Sequence, residues 1–470
     1  MQSLFLIVAV FFLQFTDKVG SERVCLSDQA LEMRIERGIE IDHLDYEVSP
    51  IYLDSVSCLG AKVLHTSRWM NGATVEIPLN AVLPIQQCHF IDTLYLTRAD
   101  DLSFGKASVS IHKRVVEENI PSDTPPPVSI PQLYQLNLIP LHQLGYKGKG
   151  IRIGVADGGF YNADNLSYLP REQWLGYADF TDDENDCFAS TDSHGTLCLT
   201  AIMAETSDYQ GAATESEYFL FRTEEHDTES IKEIDNWVAA IEMADSLGLH
   251  IVSTSLGYTT FDSGLGDFSY ADMDGRTSRG AQAAAIATRK GMLLVMAAGN
   301  DGNKEWHYLS TPADADSVLT VGAVDITGEI AEFSSYGPTA NGRIKPEVCA
   351  VGKQTSLINP SNGYVMTGNG TSFACPLVAG MAACLWSALP NATNMEIRER
   401  IIRSADRYTQ PHEQYGYGIP NAWQAYTMLI GTDLQPIISV STAEKILQNG
   451  HIYIQKNGNI YDLLGKQIEK

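Results

Sequence analysis

The sequence predicts an α/β fold, with a central parallel sheet covered by helices on both faces, preceded by a small α+β domain and followed by a short β tail. Three observations carry this expectation. Between residues 132 and 431 short apolar runs alternate with longer amphipathic stretches, the pattern of doubly covered strands joined by helical crossovers. Ahead of them lies Ile120-Pro121-Ser122-Asp123-Thr124-Pro125-Pro126-Pro127-Val128, whose consecutive prolines exclude helix and central strand and mark a domain boundary. The composition, 44% hydrophobic and 19% charged over 470 residues, is that of a globular chain of roughly two to four domains.

At the N-terminus, Leu4-Phe5-Leu6-Ile7-Val8-Ala9-Val10-Phe11-Phe12-Leu13 is too short for a membrane span and has the length of a signal-peptide core. Residues 1–20 are therefore expected to be a signal peptide, and the mature chain to be secreted or held at the cell surface. Residues 21–118 read as an α+β domain, with helices over 30–40 and 52–59 and short strands at Val75-Glu76-Ile77, Phe90-Ile91 and Leu94-Tyr95-Leu96. The Pro-rich linker occupies 119–131. In the main domain, 132–431, strands are expected at Ile151-Arg152-Ile153-Gly154-Val155-Ala156, Tyr218-Phe219-Leu220-Phe221-Arg222 and His250-Ile251-Val252-Ser253-Thr254-Ser255. Two more follow, at Met292-Leu293-Leu294-Val295-Met296-Ala297-Ala298 and Val318-Leu319-Thr320-Val321-Gly322-Ala323-Val324, with helices over 229–247 and 279–289. In the tail, 432–470, alternating residues surround two Asn-Gly turns, Asn449-Gly450 and Asn457-Gly458, a hairpin signal.

A net charge of -26 argues against nucleic acid or an anionic membrane as partner. Eight cysteines permit disulfides in an exported chain without requiring them at this size. Cys187 and Cys198 flank a loop-to-helix step as a candidate local bridge, whereas Cys375 and Cys384 read as buried thiols. The stretch Asp179-Phe180-Thr181-Asp182-Asp183-Glu184-Asn185-Asp186 is oxygen-rich, as structural Ca²⁺ sites are, a solvated charge run being the alternative.

In open parallel sheets, ligands bind beyond the carboxyl ends of the strands. Four chemically capable residues fall there: Asp157 in Asp157-Gly158-Gly159-Phe160, His194 in Asp192-Ser193-His194-Gly195-Thr196, Asn300 in Ala297-Ala298-Gly299-Asn300, and Ser372 in Asn369-Gly370-Thr371-Ser372-Phe373-Ala374-Cys375-Pro376. A serine hydroxyl needs a base, an imidazole titrates in the right range, and a carboxylate fixes its tautomer. An amide N–H₂ can join a backbone N–H to hold an oxyanion. Alone, each residue has an ordinary reading as a turn cap, a helix cap or a bend. Together, at one sheet edge, they argue for a site.

These motifs, in the order Asp, His, Asn, Ser, resemble the signature set of the subtilisin-like serine proteases (subtilases), an order recognised and not deduced. The resemblance covers about residues 145–425. It implies a three-layer subtilisin-like fold and a serine endopeptidase acting on protein or peptide substrates, with Ser372 as nucleophile, His194 as general base and acid, Asp157 as orienting carboxylate, and Asn300 with the Ser372 N–H as oxyanion hole. It also makes Ser255, Leu256 and Gly257, and Ala297, Ala298 and Gly299, the cleft edges that bind substrate backbone. No cofactor or metal is required for that chemistry. The pocket floor is expected near residues 310–312, with an apolar or broad preference. Two departures stand out: Gly158 where many subtilases have Ser or Thr, and Leu377 where many have His. Residues 26–34, 41–45 and 65–71 resemble the N-terminal region of secreted subtilases from Bacteroidetes, which implies a propeptide that assists folding and blocks the cleft, a module retained in the mature enzyme being the alternative. The tail resembles a type IX secretion sorting signal. A catalytically silent binding module and a transpeptidase on the same scaffold are the alternatives.

Overall fold

An apolar run is a leader or a strand according to what covers it. The computed structural model describes residues 8–98, 129–181, 186–188, 191–225, 228–264, 266–428, 444–448, 451–456, 459–461 and 467–468. In it β1 (Val8–Phe15) lies inside a four-stranded antiparallel sheet. After it come α1 (Asp28–Arg37), α2 (Pro50–Cys58), β2 (Lys62–Ser67), β3 (Gly72–Pro78), α3 (Leu79–Gln86) and β4 (Ile91–Arg98), and the sheet order is β2-β3-β1-β4. Phe11 pairs with Val75 on one side and Leu96 on the other. Ala9, Phe11, Leu13 and Phe15 point into a core with Tyr52, Val56 and Ile85, while Phe12, on the opposite face, lies under the Arg279 guanidinium at 4.9 Å. This placement differs from the signal peptide expected over residues 1–20: both faces of β1 are covered, so it shows no polar alternation and reads like a leader core.

The main domain follows with α4 (Ile130–Gln135), α5 (Ile139–Gln143), β5 (Arg152–Asp157), β6 (Trp174–Asp179), α6 (His194–Met203), β7 (Glu217–Arg222), α7 (Ile231–Leu247), β8 (Ile251–Thr254), α8 (Arg279–Arg289), β9 (Leu293–Ala297), β10 (Leu319–Val324) and β11 (Val348–Val351). These seven strands form one parallel sheet, ordered β11-β10-β9-β8-β5-β7-β6. The five expected strands are all present. The two unforeseen ones sit at the edges: β6 alternates in exposure and β11 has four residues, so neither makes a long apolar run. A hairpin of β12 (Thr355–Ile358) and β13 (Val365–Gly368) leads into α9 (Thr371–Ala388), then α10 (Asn394–Arg403) and α11 (Ala422–Thr427). Residues of α6 and α9 join one core cluster, and those of α7 and α8 a second. The chain winds from β5 outward to β6 and β7, then crosses to β8, so the carboxyl ends of β5 and β8 flank the switch point where ligands bind.

The N-terminal domain lies on α7 and α8 through buried charges. Asp245 of α7 accepts from Arg34 Nη2 (2.9 Å) and Arg68 Nη2 (2.7 Å), and Lys290 Nζ reaches Asp45 Oδ2 at 2.6 Å. The Glu242 carboxylate accepts from the backbone N–H groups of Arg68 (2.8 Å) and Trp69 (3.2 Å) and from the Ser67 hydroxyl, capping the turn after β2. Burial raises the carboxyl pKa of Glu242 and Asp245 above the usual range, against the lowering pull of their arginine partners.

All eight cysteines are free thiols. The candidate Cys187–Cys198 bridge is not formed: Cys187 Sγ donates to the Ala178 carbonyl (3.2 Å) and Cys198 Sγ to that of Ser372 (3.3 Å). The linker up to residue 128 lies outside the described residues. The tail, residues 427–470, is a separate unit of four antiparallel strands, β14 (Glu444–Gln448), β15 (His451–Lys456), β16 (Asn459–Tyr461) and β17 (Gln467–Ile468), and both Asn-Gly turns lie outside the described residues.

If β1 belongs to the folded domain, Leu13→Ala, at a fully buried site, destabilises that domain by about 2–5 kcal/mol. Urea unfolding followed by limited proteolysis of residues 17–98 measures this; an unchanged midpoint contradicts the placement.

Candidate active site

Ser372 is positioned by α9, which has no polar face. Residues Thr371 to Trp386 are all buried, so the helix is stable only inside the core. It is long and apolar enough to cross a membrane, yet 89% of its apolar window is buried within the fold. Entry to the helix is made by Gly370 at φ 156°, a backbone state that side chains with a Cβ rarely take, and its N–H is held by the Gly352 carbonyl at 2.8 Å. Ser372 thus lies in the first turn, where backbone N–H groups lack helical partners and the dipole is positive.

His194 opens α6, and its N–H donates to Asp192 Oδ1 at 2.8 Å. The next residue decides how closely α6 approaches β5. A Cβ on Gly195 would stand 2.5 Å from the Gly159 carbonyl oxygen and 2.9 Å from Asp157 Cβ. With glycine there, His194 Nδ1 comes to 2.7 Å from Asp157 Oδ1. Asp157 is fully buried and also accepts from the Gly158 N–H at 2.8 Å. A carboxylate at Nδ1 holds the proton on that nitrogen and leaves Nε2 as the acceptor. The imidazole packs 5.6 Å from the Phe373 ring, over the first turn of α9. The Ser372 hydroxyl itself turns to the Ser255 carbonyl at 3.4 Å; in unliganded sites the serine–imidazole contact is commonly long and tightens with substrate.

Asn300 follows β9. Its Oδ1 accepts from the Thr371 N–H (2.9 Å) and hydroxyl (3.1 Å), which fixes the side chain with Nδ2 free to face the other way. The Cβ position of Gly370 is 3.7 Å from Asn300 Nδ2 and 3.7 Å from the Ser372 nitrogen, so both donors border one space beside the serine. The two expected cleft edges run on from neighbouring strands. From β8, Ser255-Leu256-Gly257 passes Ser372, with Ser255 Oγ donating to its carbonyl at 2.9 Å. From β9, Ala297-Ala298-Gly299 passes on the other side, where the Gly299 N–H donates to Thr371 Oγ1 at 3.1 Å.

All ten expected site residues therefore gather at the N-terminus of α9. Sequence reasoning missed Cys198, one helical turn beyond His194, whose Sγ is 3.9 Å from His194 Nδ1; the i,i+4 spacing was the available signal. Burial drives its thiol well above the ordinary range. Asp157, His194 and Cys198 bring ligand atoms within 4.8 Å of one another, as do Glu224 and Glu229, between β7 and α7, and Glu233 in the first turn of α7. Of the acidic stretch considered for Ca²⁺, residues 182–185 lie outside the described residues, and Asp179 Oδ2 accepts from Arg222 Nη1 at 2.8 Å. Leu377 is buried in the core around α9, away from polar chemistry.

The chain matches the subtilase family of S8 peptidases over residues 148–418 and the Bacteroidota S8 propeptide domain over residues 10–113. It is 31% identical over 290 residues to a thermostable alkaline protease of Halalkalibacterium halodurans, covering 62% of this chain and 71% of that one. Subtilisin DY of Bacillus licheniformis is 29% identical over 281 residues, 59% of this chain and 91% of the relative. Among solved structures, MycP1 from the ESX-1 type VII secretion system shares the fold at a TM-score of 0.54 and 20% identity, over 68% of this chain and 91% of MycP1.

Gly195→Ala is expected to cost about 1–3 kcal/mol by overpacking against the turn after β5 and to erase the low-field proton resonance of His194 Nδ1–H. Thermal unfolding and proton NMR test this together; a variant with both unchanged contradicts the tight seat of α6.

Proposed function

Since this chain belongs to the subtilase family and is a serine-type endopeptidase, we propose that Asp157, His194, Asn300 and Ser372 carry its reaction. The observation that supports this most is the buried His194 Nδ1–Asp157 Oδ1 contact of 2.7 Å beside a serine at a helix N-terminus. In the proposed sequence, Ser372 Oγ attacks the scissile carbonyl while His194 Nε2 takes its proton. The imidazolium that forms is stabilised by Asp157 across Nδ1–H. The oxyanion is held by Asn300 Nδ2 and the Ser372 N–H, donors already fixed by Thr371 and by α9. His194 then protonates the leaving amine, and water releases the acyl group by the reverse path. Substrate backbone lies along Ser255-Leu256-Gly257 and Ala297-Ala298-Gly299 by strand addition, and the side chain preceding the cut enters the slot between them.

The N-terminal domain is a propeptide domain by family, and we assign it the role of intramolecular inhibitor and folding aid. Ser129 is already part of the main domain, its hydroxyl donating to the Gln210 carbonyl at 2.7 Å, and Gln132 accepts from the Ser356 N–H at 2.9 Å. We place the maturation cut within residues 99–128, between the propeptide domain and the start of the main domain at Ser129. Export completes the reading, with the tail as the address for a type IX machinery.

Two outcomes are expected. Ser372→Ala lowers kcat on a peptide substrate by about 10⁴-fold or more with the fold retained, and Asn300→Ala lowers it by about 10²–10³-fold with KM little changed; near-normal hydrolysis by either refutes its role. N-terminal sequencing of the active form gives a start between residues 99 and 129, whereas a start before residue 30 would make the N-terminal domain a retained module.

A further inference from the structure

An amide side chain can hold an oxyanion only if the backbone that carries it stays still. Thr371 ties Asn300 Oδ1 from the α9 side. The turn that leads out of β9 has little packing of its own, since Asn300, Asn303 and Lys304 are exposed. One residue of another segment fixes it. Ser335, fully buried in the loop after β10, donates its N–H to the Gly299 carbonyl at 3.0 Å and accepts the Asp301 N–H on Oγ at 3.0 Å. Peptide bonds are planar, so the first bond fixes the plane that contains the Asn300 nitrogen. The second fixes the plane that contains the Asn300 carbonyl carbon. A single serine thus sets both planes that meet at Asn300 Cα, and with them the direction of its Cβ.

The two segments leave no play. The Gly302 N–H donates to the Phe333 carbonyl at 2.8 Å, and a Cβ on Gly302 would stand 2.1 Å from the Ser334 carbonyl oxygen. The supporting loop is anchored away from the site. Ser334 Oγ accepts from the Ala323 N–H of β10 at 2.9 Å, and the Ser334 N–H donates to the Ala331 carbonyl at 2.9 Å. Asn300 is therefore held from two independent sides, its side chain by α9 and its backbone by a loop built on β10.

We propose that Ser335 is a positioning residue for the oxyanion donor: its hydroxyl and N–H preset the Asn300 backbone so that Nδ2 meets the developing charge without reorganisation. This rests on the reading of Asn300 as oxyanion donor given above. Donors of this kind work because they are aimed before charge develops, and a misplacement of about 1 Å can cost about 10²-fold in rate. Ser335 acts through Asn300, so its loss falls on kcat and not on ground-state binding.

The test uses the mature enzyme, with active sites counted by fluorophosphonate titration run to completion, so that misfolded protein does not enter kcat. Ser335→Ala is expected to lower kcat on a tetrapeptide para-nitroanilide by about tenfold or more, with KM within about twofold. A peptidyl trifluoromethyl ketone, whose hemiketal oxyanion forms on Ser372, loses affinity by the same factor. In an Asn300→Ala background the same substitution lowers kcat by less than about twofold further, since no donor is left to aim. Ser335→Cys nearly keeps the size of the side chain but offers a weak acceptor. It is expected to fall between wild type and Ser335→Ala, and it decides the matter should the alanine variant fold poorly. Full kcat in Ser335→Ala, a loss that appears in KM alone, or an equal loss with and without Asn300 overturns the proposal. Asn300→Ala separates the two levels: a large loss there with none in Ser335→Ala removes the positioning role alone, and near-normal kcat in Asn300→Ala removes the oxyanion reading on which it rests.

Discussion

Everything at the active site depends on the burial of α9. Eighteen residues without a polar face can be accommodated only between the sheet and α6, and that constraint sets the position of the helix start. The start then falls at the carboxyl ends of β8 and β9, because those strands form the surface against which the helix lies. Ser372 is consequently fixed by hydrophobic packing rather than by its own hydrogen bonds, of which it makes few. The same packing brings α6 alongside, and Gly195 lets that helix come close enough for His194 to meet Asp157. Core geometry and chemistry are therefore one problem here, and a misfit in either helix would be felt as a displaced proton path.

The contact between the N-terminal domain and α7–α8 is of a different kind. Its centre is charged: Arg34, Arg68, Asp45, Asp245, Glu242 and Lys290 are all buried there. Buried ion pairs recover their desolvation cost only when geometry is good, so they add specificity more dependably than net stability. Around these charges Trp69, with Leu44 and Met70, packs onto the apolar cluster of α7 and α8. Such an interface suits a domain that docks in one register.

Much of this was legible in the sequence, for physical reasons that also explain the gaps. Central strands such as β5 and β9 are covered on both faces and so appear as apolar runs, and the residues that end them, Asp157 and Asn300, announce themselves by position. The edge strands β6 and β11 are half-exposed or short and leave no such trace. Val8–Phe15 reads both ways because a strand buried on both faces and a leader core have the same composition, and periodicity cannot separate them. Cys187 and Cys198 were close enough in sequence to suggest a bridge, but each found a backbone acceptor in a different layer.

The central claim is that Ser372 is the nucleophile and that its oxyanion is held by Asn300 Nδ2 and its own N–H. The most direct measurement is a crystal structure of the wild-type enzyme after reaction with a peptidyl phosphonate, combined with mass mapping of the adduct. The account predicts one adduct, bonded through Ser372 Oγ, with a phosphonyl oxygen about 2.7–3.1 Å from both donors. An adduct on another residue, or a phosphonyl oxygen pointing away from Asn300 into solvent, would contradict it.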